Sequence, residues 1–237
     1  MRQSIAPLAP GVYPANATSA YRSSAKRAPA QAPITIAHSL SELSGPRCGR
    51  ECLPGGIAID DLTRSPDGGE AQGQRIVVHG RVTDEYGRPE RGALIEIWQA
   101  NAAGRYRHPG DRHDAPLDPH FTGAGALLTD TDGCYSFLTI EPGAYPWGNH
   151  HNAWRPKHIH FSLFGQAWAT RLITQMYFPG DPTLALDPIF MSTADAAARE
   201  RLIATFDLRR TQPDYALAYR FDVVLRGLGA TPPDAPR

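Results

Sequence analysis

From Arg75 onward the chain alternates apolar and polar residues in short runs, each closed by Gly, Pro or Asp. The runs are Arg75–Val82, Leu94–Gln99, Cys134–Ile140, Lys157–Phe164, Leu172–Phe178 and Tyr219–Arg226. A period of two puts successive side chains on opposite faces of a strand, so each run predicts a β-strand. Asp84-Glu85-Tyr86-Gly87-Arg88-Pro89 and Thr129-Asp130-Thr131-Asp132-Gly133 supply turn-forming residues between them. Many short strands punctuated in this way predict an all-β fold, an antiparallel β-sandwich. One short helix is expected, with Ser192-Thr193 capping Ala194–Phe206 and Asp195 in its first turn. It reads as a surface helix packed on the sandwich.

Two stretches lack any such period, Ala100–Ala126 and Glu141–Arg155, and both are rich in Tyr, Trp, His, Arg and Pro. Patternless loops this long in a compact domain usually carry function. Residues 1–74 are rich in Pro, Ala, Ser and Gly and have too little apolar periodicity for a core of their own. They predict an irregular N-terminal arm, a subunit-docking segment ahead of a β-sandwich catalytic domain over 75–237.

The chain has 237 residues, with 24 Lys plus Arg against 24 Asp plus Glu. That balance argues against nucleic acid or an anionic membrane as partner. No apolar run approaches the ~20 residues that span a bilayer, and the N-terminus lacks a continuous apolar stretch of the secretory type. The expected location is the cytoplasm. Cys48, Cys52 and Cys134 have no second pair to complete a structural zinc site, and are expected to be reduced thiols without a role.

The chemistry concentrates at Trp154-Arg155-Pro156-Lys157-His158-Ile159-His160-Phe161. Residues i and i+2 of a strand share a face, so His158 and His160 point one way and Ile159 and Phe161 the other. Two imidazoles on a stiff ladder are half of a metal site, or else two partly exposed histidines on a sheet. Zinc would need a third His or a carboxylate; His108, His113, His120, His150 and His151 are available. The long loops also carry Tyr106 and Tyr145. A phenol keeps its proton up to a pH near ~10, so a tyrosinate ligand demands a Lewis acid as strong as Fe(III). Residue types alone do not choose between these metals.

The order Tyr106 in NAAGRYRHPGD, PLDPHFTG, TDTDGCYSF, Tyr145 in PGAYPWGNH and then the His158-x-His160 strand resembles the intradiol ring-cleaving dioxygenases. The resemblance runs from about Tyr21 to Gly227, and its Tyr…Tyr…His-x-His order is highly specific. It implies a non-haem Fe(III) held by Tyr106, Tyr145, His158 and His160. It implies an oxygen-dependent enzyme opening a catecholic ring between its two hydroxyl-bearing carbons, with 3,4-dihydroxybenzoate as leading substrate. Catechol or hydroxyquinol are the alternatives, and a non-catalytic β-sandwich binding domain is the reading from another class. Full retention of the ligands matches the iron-binding β subunit of a two-subunit member. The partner is then an α subunit, in a higher-order αβ hetero-oligomer. Catechol-cleaving members carry a long helical N-terminal region, unlike the Pro-rich arm here. The resemblance further implies Tyr145 as ligand and general base, and Arg155 facing the substrate ring. It places Trp147 and Ile189 in the pocket wall and Gln175 and Tyr177 beside the ligands. Tyr21 would lie near the substrate carboxylate.

Overall fold

The structure, a computed structural model, describes residues 9–32, 34, 39, 49–148, 154–165, 167 and 170–234. Its strands are β1 (Arg75–Thr83), β2 (Leu94–Trp98), β3 (Ala124–Leu128), β4 (Cys134–Ile140), β5 (Tyr145–Pro146) and β6 (Trp154–Arg155). They continue with β7 (His158–Phe164), β8 (Arg171–Tyr177), β9 (Thr205–Phe206), β10 (Leu217–Arg220) and β11 (Val223–Val224). One sheet runs β3-β2-β7-β8, antiparallel throughout. In the other, β1 pairs β4 antiparallel and takes β10 and β11 in parallel along its opposite edge. The fold is the expected β-sandwich, antiparallel in most of its pairings, with β1 taking β10 and β11 in parallel.

The two sheets close on each other because each strand spends one face on apolar residues. Ile76 and Val78 of β1, Ile95 and Ile97 of β2, Phe137 of β4, and Ile159, Phe161 and Leu163 of β7 share one core with Met176 of β8. Each such side chain is almost fully buried, which favours folding by about 1.5–3 kcal/mol per residue.

Four expectations are corrected. The strand predicted over Tyr219–Arg226 is broken into β10 and β11 at Phe221-Asp222, where the Asp222 carboxylate accepts the Arg81 amide in place of a ladder carbonyl. The end of the supposedly irregular 100–126 segment enters β3, Ala124–Leu128, which pairs along its length with β2. The helix expected over Ala194–Phe206 is only Ala196–Glu200, capped by Asp195 rather than Ser192-Thr193. A separate short helix, α1 (Pro188–Met191), precedes it, and Ser192 turns its hydroxyl back to Ile189 O in that helix. Cys52 is disulfide-bonded rather than reduced, whereas Cys134 is free and exposed; Cys48 lies outside the described residues.

The arm lies along the sandwich. Ile59 bridges Ala126 of β3, Asp61 bridges Leu138 of β4, and Leu62 enters the core. Farther back, Gly11 and Ala15 bond to the Ser192–Asp195 segment through Asp195 N to Gly11 O and Ala15 N to Ser192 O.

Candidate metal centre

On β7 the apolar side chains face the opposing sheet, so His158 and His160 face outward. They are nevertheless 1% and 3% exposed, because loops and the neighbouring strands roof that face. This excludes the partly exposed pair. Register fixes their neighbours: His158 lies opposite Tyr177 and His160 opposite Gln175 on β8, while Trp98 of β2 lies opposite His160 on the other side. The Trp98 and His160 rings stack at 4.8 Å and 5°.

His158 Nδ1 is 2.7 Å from Pro156 O. A carbonyl can only accept, so Nδ1 carries the proton and Nε2 keeps its lone pair. That lone pair faces Tyr145 Oη at 3.4 Å. Two donors each ~2 Å from one cation sit roughly 3 Å apart at a right angle and farther as the angle opens, so the pair fits a shared ion. The Tyr106 and Tyr145 rings meet edge to face at 5.4 Å, and Tyr106 lies 6.5 Å from the His160 ring.

The two tyrosine loops are sewn together by local polar bonds. Asn101 Oδ1 accepts the Ala103 and Arg105 amides, and Asp111 Oδ2 accepts the Tyr106 amide at 2.8 Å. Gly143 donates to Asn101 O. Gly104, at φ +77°, leaves no room for a side chain: a Cβ there would lie 2.3 Å from Ala144 O. The close approach of these two glycine-bearing segments brings Tyr106 to Tyr145.

Arg155 completes the cluster. The β5–β6 ladder makes it the direct partner of Tyr145, and its guanidinium is buried. Nε and Nη2 bond to the two Asp187 oxygens at 3.2 and 2.9 Å. Nη2 also reaches Gln175 Oε1 at 2.7 Å and Tyr177 Oη at 3.2 Å. Nη1 is left 3.5 Å from Tyr145 Oη and 3.4 Å from His158 Nε2. Burial alone would favour the neutral form, but Asp187, Tyr177 and Tyr145 outweigh it and hold Arg155 well above the usual guanidinium range. The Tyr177 phenol is pushed well up, first by burial and then by Asp187, with Arg155 in partial opposition. Trp147 lies 5.5 Å from the Arg155 charge, and Tyr21 packs on Trp147 at 5.0 Å. Ile189 is half-buried on α1 and gives its amide to Asp187 Oδ1. All ten candidate residues thus lie in one contiguous region, Ile189 joined to it through Asp187.

Among the described residues no group of three His, Cys, Asp or Glu side chains gathers around an ion position, as the zinc reading requires. Among the groups that reach the histidines are the phenols of Tyr106 and Tyr145 and the Arg155 guanidinium. His108 Nδ1 accepts the Gly110 amide, His113 meets Gly104 O, and His120 sits against Ser65 and Asp67; His150 and His151 lie outside the described residues. The donor set of two phenols and two imidazoles fits a hard, highly charged cation. Buried Gln175 Nε2 finds no acceptor among the described residues. Sequence reasoning passed over Trp98, Asp111 and Asp187. Only Asp187 leaves a readable mark, as an Asp-Pro pair opening a helix, and that mark says nothing of an arginine.

A family model described as Dioxygenase matches residues 44–227. The chain is 58% identical over 221 residues to the protocatechuate 3,4-dioxygenase beta chain of Burkholderia cepacia, covering 93% of each. It is 32% identical to the protocatechuate 3,4-dioxygenase alpha chain of Pseudomonas putida, over 68% of this chain and 76% of that one. Hydroxyquinol 1,2-dioxygenase of Rhizobium sp. is 31% identical over 60% of this chain, which spans half the length of that enzyme. Among solved structures, the dioxygenase domain of a carbohydrate-binding fusion from Streptomyces sp. SirexAA-E is similar, with a TM-score of 0.51 and 27% identity over 71% of this chain and 88% of that one.

Proposed function

Because this chain belongs to the intradiol ring-cleaving dioxygenase family, we propose that Tyr106, Tyr145, His158 and His160 hold a non-haem Fe(III). The chain is an oxidoreductase, the β subunit of a protocatechuate 3,4-dioxygenase, and opens 3,4-dihydroxybenzoate with O2 to 3-carboxy-cis,cis-muconate. The observation that carries this is Tyr145 Oη 3.4 Å from His158 Nε2, with the Tyr106 ring edge to face on Tyr145, in a chain 58% identical to such a β chain.

A ferric ion held by Tyr106, Tyr145, His158 and His160 would supply the Lewis acidity that ionises the phenols and activates a catecholic ring toward O2. The remaining work falls to side chains. Pro156 O holds His158 in the tautomer that leaves Nε2 open. Tyr145 Oη takes a proton from a catechol hydroxyl as general base, and Tyr106, its amide anchored on Asp111, stays in place. Arg155 Nη1, beside Tyr145 Oη, stabilises negative charge on the substrate; one preorganised donor of this kind is worth about 3 kcal/mol. Trp147 and Tyr21 form an aromatic wall on which Tyr21 serves the carboxylate end, and Ile189 lines the pocket. Gln175 and Tyr177 orient Arg155 and the ligands.

An α subunit completes the enzyme in an αβ hetero-oligomer, and the N-terminal arm is its docking segment. Supporting this, Tyr13, Ile34 and Ile57 of the arm expose most of their apolar surface. The test is co-expression with an α chain, followed by iron analysis and O2 uptake on protocatechuate, catechol and hydroxyquinol. A protein with about one iron per chain, a visible phenolate-to-iron absorption band and fastest uptake on protocatechuate is expected. A colourless, iron-free protein would end the proposal, and preference for catechol would reassign the substrate.

A further inference from the structure

We propose that Asp187 is a positioning residue for ring cleavage, setting which edge of the Arg155 guanidinium faces the reacting groups. A guanidinium has five N–H donors in a rigid fork, and a carboxylate that engages it side-on takes two of them at once. Asp187 does so here through Nε and Nη2. Gln175 Oε1 and Tyr177 Oη occupy the rest of Nη2. Nη1 alone is left, and it is the nitrogen beside Tyr145 Oη and His158 Nε2.

Asp187 is itself immobilised. It is 0% exposed, it caps α1 by accepting the Ile189 amide at 3.2 Å, and Tyr177 Oη lies 3.3 Å from its Oδ2. Among the described residues its hydrogen bonds reach none of Tyr106, Tyr145 or the two histidines; its bidentate contact is with Arg155, and it also meets Tyr177, which itself accepts from Arg155 Nη2. It also keeps a lone cation from being stranded in a dry site, where an unpaired charge would turn toward any other acceptor. Helix α1 and the metal centre are in this way joined by one ion pair.

The inference rests on the role given to Arg155 above, and the experiment separates the two. Arg155→Gln, Asp187→Asn and the double variant are each purified with the α partner. Measured are kcat, KM, iron content, the visible band, and the unfolding temperature of the iron-stripped protein. Arg155→Gln is expected to lower kcat by roughly 100-fold, the effect of one preorganised donor. Asp187→Asn should keep its iron, shift the band, and lower kcat by about tenfold or more with KM within about threefold. Added to Arg155→Gln, it should change kcat by less than about twofold, since groups acting as a unit are not additive.

A folded Asp187→Asn with unchanged kcat overturns the inference alone. So does an equal fold-loss in both backgrounds, the signature of a merely structural pair. If Asp187→Asn does not fold, the double variant against Arg155→Gln decides: equal kcat supports positioning, and a further loss refutes it. An unchanged kcat in Arg155→Gln removes the role of Arg155 and, with it, the inference.

Discussion

At the scale of single residues, the site is built from one-sided choices. Pro156 O fixes the proton on one nitrogen of His158, and Asp187 fixes two nitrogens of Arg155. Tyr145 is the phenol placed against both results. Replacing Tyr145 with Phe removes the proton acceptor while three ligands remain, so iron should be largely kept and kcat/KM on protocatechuate should fall by about 10²–10⁴-fold. Stopped-flow turnover with iron analysis checks this, and wild-type turnover would remove the base role. His160→Ala takes away a ligand on a rigid strand, and iron and colour should be lost together; full iron occupancy would remove His160 from the ligand set. The strand-borne pair was legible because a period of two needs only neighbouring residues. Asp187 was not, since it meets Arg155 across 32 positions and no local pattern links them.

At the scale of elements, strands with β-branched and aromatic residues were legible and those without were not. β4, Cys-Tyr-Ser-Phe-Leu-Thr-Ile, has the predicted limits Cys134–Ile140. β3 begins Ala124-Gly125-Ala126, residues of low strand preference, and exists because β2 and Ile59 pair with it. The alanine-rich helix fails past Glu200 for a related reason. Leu202 O accepts the Tyr177 amide and Ala204 N donates to Tyr177 O, so ladder bonds to the end of β8 override helix propensity. The split edge of β1 has a sharper requirement. A Cβ on Gly80 would lie 1.9 Å from Phe221 O, so Gly80→Ala must push β10 and β11 off β1. Overpacking of this severity should cost about 3 kcal/mol or more, and the unfolding midpoint should drop by several degrees without loss of iron affinity in the surviving fold. An unchanged midpoint would show that the edge yields freely.

At the scale of the whole molecule, the stability of the sandwich should depend on pH through His79. This buried β1 side chain lies 3.1 Å from Asp207, with Arg210 and Arg220 also acting on it. Burial first, and then Arg210, hold it below the usual imidazole range, with Asp207 in partial opposition and Arg220 adding to the fall. A depressed value means that the unfolded chain binds the proton more readily. Below the ordinary value of about 6.5 the unfolded state therefore gains protons that the fold refuses, and stability falls with pH until the folded-state value is passed. His79→Gln should flatten this slope in denaturant titrations below about pH 6.5; an unaltered slope would assign it elsewhere. The all-β architecture was legible in the run of short strands, but the parallel pairing of β1 with β10 and β11 was not, because orientation depends on connections that leave no periodic trace. The unequal anchoring of the four proposed ligands has a further consequence. His158 and His160 ride a seven-residue strand between two neighbours, whereas Tyr145 hangs on a ladder of two residues. Amide exchange at Trp154 and Arg155 should thus be orders of magnitude faster than at Ile159–Leu163. One grip can then be released while the others hold, so an ion kept there would outlast the fraying of its most active ligand.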